Sequence, residues 1–230
     1  MRAIILAGGF GTRLKSVVPD LPKPMAKIAG RPFLEYVMDR LIFSGVTEII
    51  LSVGYRSSVI MEHFADEYRG ITISYAVETD PLGTGGAIAN ALQDRGDEPA
   101  LVINGDTLLD LDYEELIAWY KSMPTKIAMV LKVVPDVSRY GSVLLSDGRV
   151  TGFQEKGQRG SGLINAGVYI IHPGVFAQFN LFGRFAFESD LLQMHCEELS
   201  PRAFVTDAYF IDIGIPEDFK RAQIELPNIL

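Results

Sequence analysis

Short apolar runs alternate with amphipathic stretches through the first half of the chain. Residues 2–6, 48–53, 71–77 and 100–104 are β-rich runs and predict strands. Between them, residues 33–44 place apolar side chains at 33, 34, 37, 38, 41 and 42, a helical spacing, and Gly45 predicts its stop. Residues 57–64, 85–92 and 113–122 predict further helices. This alternation predicts parallel strands covered by helices on both faces, with ligands at the carboxyl ends of the strands.

After about residue 125 the pattern changes. Residues 127–134, 142–145, 150–154 and 163–171 predict strands separated by turn residues, with Asp147-Gly148 as the hairpin signal. Residues 175–179 and 189–199 predict helices, and 202–206 and 209–212 return to strand. Pro216 suits the first turn of a last helix through 223. No repeat, linker or low-complexity stretch divides residues 1–230, so one domain is expected. The expected fold is α/β, a Rossmann-like three-layer sandwich whose mixed central sheet is mostly parallel.

At 230 residues and 48% hydrophobic, the chain is long enough to bury a sizeable core. Its net charge of −8 argues against sequence-independent binding to DNA or RNA, so no nucleic-acid partner is expected. No apolar stretch approaches the roughly 20 residues needed to span a bilayer. Residues 4–6 are too short for a signal-peptide core before glycines follow. No membrane partner and a cytoplasmic location are therefore expected. Cys196 is the single cysteine; it excludes an internal disulfide framework and fits a reducing compartment.

The first strand empties into Ala7-Gly8-Gly9-Phe10-Gly11-Thr12-Arg13-Leu14, where missing Cβ atoms let backbone N–H groups close on an anion. Lys23, stiffened by Pro22 and Pro24, brings a second cation to the mouth that holds Arg13, which suits a polyphosphate. The two familiar phosphate motifs fail. No Lys-Ser/Thr pair follows the glycines as a P-loop requires, and Leu14 occupies the third small position of a dinucleotide fingerprint.

Asn104-Gly105-Asp106 closes the strand 100–104, placing a carboxylate on the ligand side; a helix cap is the plainer alternative. Asp212 sits in the apolar run Tyr209-Phe210-Ile211-Asp212-Ile213-Gly214, an expensive setting for a charge unless it is paired or metal-bound. Two strand-end carboxylates with a ligand's phosphate oxygens suit Mg²⁺, which keeps waters and takes few protein ligands. His63, His172 and His195 match no zinc spacing, and no Gly-x-Ser-x-Gly turn is present.

Glu78 precedes a second glycine-rich turn, Asp80-Pro81-Leu82-Gly83-Thr84-Gly85-Gly86, whose small residues permit a flat ring to lie against the backbone. A carboxylate accepts two hydrogen bonds at once, and guanine offers N1–H beside its exocyclic amine, whereas uracil and thymine offer one ring N–H. A solvated loop charge is the alternative for Glu78. Glu155, Lys156 and Asn165 supply an acceptor, a cation and an amide, the functional set for a sugar phosphate. Glu188, among Phe185, Phe187 and Leu191, either caps a helix or grips a sugar hydroxyl.

Leu6 through Leu14, followed by Pro22-Lys23-Pro24, resembles the signature loop of the sugar-1-phosphate nucleotidyltransferases, which make nucleotide sugars. The resemblance continues in order through Pro81-Leu82-Gly83-Thr84-Gly85-Gly86, Asn104-Gly105-Asp106, Glu155-Lys156, Asn165-Ala166-Gly167 and Ile211-Asp212-Ile213-Gly214. It implies transfer of a nucleoside monophosphate from a nucleoside triphosphate to a sugar 1-phosphate, with release of pyrophosphate. By it, Arg13 and Lys23 are the catalytic cations on the triphosphate, and Asp106 and Asp212 hold Mg²⁺. Leu6, Ala7, Gly8, Gly9, Gly11, Thr12, Glu78, Gly83 and Thr84 join Arg13 and Asp106 around the nucleotide. Asn104, Gly141, Glu155, Lys156, Asn165 and Glu188 are expected around the sugar phosphate.

The turn after Glu78 is more similar to the mannose- and heptose-type guanylyltransferases than to the thymidylyl- or uridylyltransferases, which makes GTP the expected donor. A compact domain of this kind is also compatible with a homodimer. The rival enzyme class is a glycosyltransferase that consumes nucleotide sugars. Asp110-Leu111-Asp112 matches its Asp-x-Asp metal pattern but lies past the strand end. A non-catalytic nucleotide-sugar sensor finds no support, because every chemical position carries a competent residue.

Overall fold

The structure, a computed structural model, describes residues 1–9, 21–42 and 44–229. The expected site residues Gly11, Thr12 and Arg13 lie outside the described residues. The first half runs β1 (Arg2–Leu6), β2 (Lys27–Ile28), β3 (Arg31–Pro32), α1 (Phe33–Ile42), β4 (Glu48–Val53), α2 (Ser57–Phe64), β5 (Glu67–Tyr68), β6 (Ile71–Val77), α3 (Gly83–Leu92), β7 (Ala100–Asn104), β8 (Thr107–Leu109) and α4 (Tyr113–Lys121). The second runs β9 (Ile127–Val134), β10 (Ser142–Ser146), β11 (Arg149–Gln154), β12 (Gly162–Ile171), α5 (Gly174–Gln178), a π-helix over Phe187–Gln193, α6 (Cys196–Leu199), β13 (Arg202–Thr206), β14 (Phe210–Asp212) and α7 (Pro216–Glu225).

Among the described residues the main sheet has the strand order β10-β11-β13-β9-β12-β7-β1-β4-β6-β5. The block β6-β4-β1-β7 is parallel, as the strand–helix alternation predicts. The chain leaves β1 on one side for β4 and β6, then crosses to the other side with β7. The carboxyl ends of β1 and β7 are therefore a topological switch point, where such sheets bind ligands.

The second half corrects the expectation of a mostly parallel sheet. β12 runs antiparallel to both β7 and β9, and β10–β11 is an antiparallel hairpin. Only β9 and β13 pair in parallel there, so antiparallel pairings outnumber parallel ones among the described residues. The physical reason is local. A tight turn can only reverse a strand, whereas parallel pairing needs a long crossover. Asp147 and Gly148, with φ of 51° and 71°, make that reversal between β10 and β11.

Neighbouring residues of β1 explain why its run is apolar without alternation. Ile5 packs in the layer that contains Phe33, Leu116 and Ala222, and Ile4 in the opposite layer with Ile88 and Leu191. Both are fully buried. Burying each is worth about 1.5–3 kcal/mol relative to exposure. Helices on both faces thus complete the three-layer sandwich. The helix expected over 189–199 is instead the π-helix Phe187–Gln193 followed by α6, with the Asp190 carboxylate accepting from Ala186 N at 2.8 Å.

Candidate active site

A cleft of about 390 Å³ opens at the switch point. Leu6, Gly8 and Gly9 after β1, Asn104 and Asp106 at the end of β7, and Glu78, Gly83 and Thr84 line it together with Lys23. Seven of the residues expected around the nucleotide therefore meet here, along with the expected sugar-phosphate residue Asn104. Ala7 is buried beneath them and its N–H donates to Ser52 O at 2.8 Å, which anchors the loop to β4.

Lys23 lies in a short 3₁₀ turn and is buried. Its Nζ donates to Asp106 Oδ2 and, at 3.5 Å, to Asp212 Oδ1. The two carboxylates meet because β8 and β14 pair antiparallel, with Asp212 opposite Thr107. Gly214 N donates to Asp212 Oδ1 at 2.6 Å, fixing that carboxylate's direction. Charge in the apolar run is thus paired, as its setting requires.

Glu78 stands across the cleft floor. Its Oε1 accepts from Ser52 Oγ at 3.3 Å and its Oε2 from Leu82 N at 3.0 Å, which holds the carboxylate while leaving acceptor capacity on both oxygens. Gly8 leaves the carboxylate its place, because a Cβ there would stand 2.7 Å from Glu78 Oε1 and 3.2 Å from Gly54 N.

A hydrogen-bonded chain joins Thr84 to residues expected on the sugar side. Thr84 Oγ1 donates to Glu188 Oε2 and accepts from Phe187 N, both at 2.8 Å. Tyr169 OH donates to Glu188 Oε1 at 3.4 Å and accepts from Asn165 Nδ2 at 2.6 Å. Asn165 Oδ1 in turn accepts from Gly167 N at 3.0 Å. Burial, reinforced by the Glu188 charge, pushes the Tyr169 phenol well above its ordinary pKa, so it stays a donor. Neither Tyr169 nor Ser52 was among the expected site residues; the available signal was a lone hydroxyl inside each apolar strand.

Other expectations fall elsewhere. Glu155 and Lys156 are exposed in the turn after β11, and Gly141 packs toward Gln154 O; none lines the described cleft. Within the second glycine-rich turn, the Phe185 ring edge fills the space of a Cβ at Gly85, while Pro81, Gly83 and Thr84 line the cleft. Asp110 pairs with Arg40 at 3.0 Å and Asp112 caps α4 through Glu115 N, so the Asp-x-Asp carboxylates serve the scaffold.

The sequence profile of the Nucleotidyl transferase family matches residues 2–228. The chain belongs to the nucleotidyl transferase family. A family relative, the D-glycero-alpha-D-manno-heptose 1-phosphate guanylyltransferase of Aneurinibacillus thermoaerophilus, is 44% identical over 230 residues, 100% of each chain. The protein of the same name from Campylobacter jejuni is 46% identical over 95% of this chain and 97% of its own. The crystal structure of HddC from Yersinia pseudotuberculosis complexed with GMP-PN matches with a TM-score of 0.85 at 42% identity, covering 96% of this chain and 97% of that one.

The family generally uses a divalent metal. The residues here fit one that borrows oxygens from its ligand: Asp106 and Asp212 converge, and among the described residues no group of three or more His, Cys, Asp or Glu does. No helix of the described residues is long and apolar enough to cross a membrane.

Proposed function

We propose that this protein is a D-glycero-α-D-manno-heptose 1-phosphate guanylyltransferase, transferring GMP from GTP to the sugar 1-phosphate and releasing pyrophosphate. The observation that carries this reading is the full-length likeness to enzymes of that name, joined to a switch-point cleft in which Lys23, Asp106 and Asp212 converge.

The sugar phosphate carries about −1.5 to −2 charge at pH 7, so its oxygen attacks the α-phosphorus without a general base. The protein's work is alignment and charge neutralisation. Lys23 faces the triphosphate, and Arg13 joins it on the likeness of the signature loop. Glu78 accepts from guanine N1–H and the exocyclic amine. Lys156 and Glu155, with Asn104, Gly141, Asn165 and Glu188, take the sugar phosphate. Mg²⁺, held by Asp106 and Asp212, supplies further neutralisation of the phosphate charge when bound. A cytoplasmic location belongs to the same reading, supported by the single cysteine and by charged substrates that do not cross a bilayer.

The test is a matrix of GTP, ATP, CTP and UTP against heptose, mannose and glucose 1-phosphates with Mg²⁺, scored by pyrophosphate. Release with GTP and the heptose 1-phosphate above all other pairs is expected. Preference for mannose 1-phosphate would reassign the sugar, and no pyrophosphate from any pair would overturn the reading.

A further inference from the structure

We infer that Lys23 is the resting cation of the metal site: in the free protein its ammonium pairs with Asp106 and Asp212 and keeps a divalent ion out until nucleotide phosphates draw it away. This rests on the proposed reading of those two carboxylates as metal ligands.

Three features of the cleft carry the inference. The Lys23 side chain is only 8% exposed, and its Nζ is bonded to both carboxylates at once. Its seat is shaped to it. A Cβ at Gly214 would come within 3.0 Å of Nζ and 2.7 Å of Asp212 Oδ1, so a side chain there would shift the carboxylate or the ammonium. Finally, no third carboxylate, histidine or cysteine converges there among the described residues.

A divalent ion arriving alone gains two carboxylates, but it must evict a buried ammonium and leave it without a partner. Leaving a buried ammonium unpaired in this way is unfavourable. Polyphosphate changes the balance, since it offers oxygens to the metal and an anionic partner to the displaced ammonium. Metal and nucleotide binding are then coupled, and the coupling is reciprocal.

The test uses Mn²⁺ as a spectroscopic probe of metal binding by the whole protein, with and without a non-hydrolysable GTP analogue. Without nucleotide, Lys23→Met and Lys23→Gln are expected to bind Mn²⁺ at least about tenfold more tightly than wild type, within the usual range of coupling. The analogue is expected to tighten Mn²⁺ binding to wild type by a similar factor and to the variants by less. Adding Asp106→Asn to Lys23→Met is expected to remove the gained site. Should the variants be marginally stable, the rise in melting temperature on adding Mg²⁺ alone reads the same gain. Equal Mn²⁺ affinity in wild type and both variants, with binding still dependent on Asp106, would overturn the resting-cation role and leave the metal site standing. Binding indifferent to Asp106→Asn would overturn the metal site itself.

Discussion

Asp212 faces Thr107 across the β8–β14 ladder, and that register brings together two carboxylates that lie far apart in the chain. Asp106 immediately precedes Thr107, and Ile213 N donates to the Asp106 carbonyl at 3.1 Å. A slip of one residue would turn Asp212 to the opposite face of the ladder.

Asp106→Asn and Asp212→Asn are each expected to lower kcat by about a hundredfold or more, as loss of one preorganised charge-stabilising group does. Lys23 keeps one carboxylate partner in either variant, so the fold survives. Pyrophosphate release at saturating Mg²⁺, alongside melting temperature, checks both halves. Near wild-type rates would remove that residue from the metal site.

The two lysines should fail differently. Lys156 is exposed, so Lys156→Ala leaves the melting temperature unchanged and chiefly raises the KM for the sugar phosphate. Lys23→Ala removes a buried cation from the cleft, weakening GTP binding and slowing chemistry. Steady-state kinetics with each substrate varied in turn distinguishes them, and an exchange of phenotypes would reverse the assignment.

Base choice tests Glu78, whose carboxylate is already oriented by Ser52 and Leu82 N. ITP keeps N1–H but lacks the amine. Its kcat/KM is expected to fall below that of GTP by about tenfold to hundredfold, the worth of a hydrogen bond to a charged group. Glu78→Gln narrows the gap. Equal use of GTP and ITP would remove Glu78 from the guanine site.

A Cβ at Gly86 would stand 2.2 Å from Gly183 O, a backbone atom with little freedom to retreat. Gly86→Ala is expected to destabilise the protein by about 1–3 kcal/mol, typical of overpacking. Gly9, with no described residue within 4 Å of its Cβ position, is expected to tolerate alanine without loss of stability. Chemical denaturation of both variants gives the comparison.

Acid stability is expected to depend on Glu35. Burial raises its pKa, but hydrogen bonds from His63 and Arg31 outweigh that and hold it below the ordinary 4.5. Its folded pKa is depressed, so its stabilisation is complete above the ordinary 4.5 of the unfolded chain and is lost as pH falls from there through the folded pKa. Melting curves below pH 4.5 are expected to fall more steeply for wild type than for Glu35→Gln. Parallel curves would show that Glu35 carries no such linkage.

The strands β1, β4 and β7 were legible in the chain because both of their faces are buried, which favours near-continuous apolar runs, and β6 was legible from its alternation of Ile71, Ile73 and Tyr75 with Thr72 and Ser74. Asp147-Gly148 was equally plain, since a backbone with two positive φ angles restricts which residues stand there. That Leu6, Gly8 and Asp106 stand at or just past the carboxyl ends of their strands, the ligand side of such a sheet, was legible too. Tertiary structure decided the rest. The direction of β12 made the sheet less parallel than the alternation implied, because hydropathy is blind to which way a buried strand runs. Small residues at Gly83, Gly85 and Gly86 admit the chain's own 183–187 segment, and nothing local distinguishes that from room for a ligand. Asp110 and Asp112 took scaffold partners, while Tyr169 joined Thr84 to Asn165 through Glu188. A residue's type states what bonds it can make; which partner it meets is set by register and strand order, and those are properties of the whole folded chain.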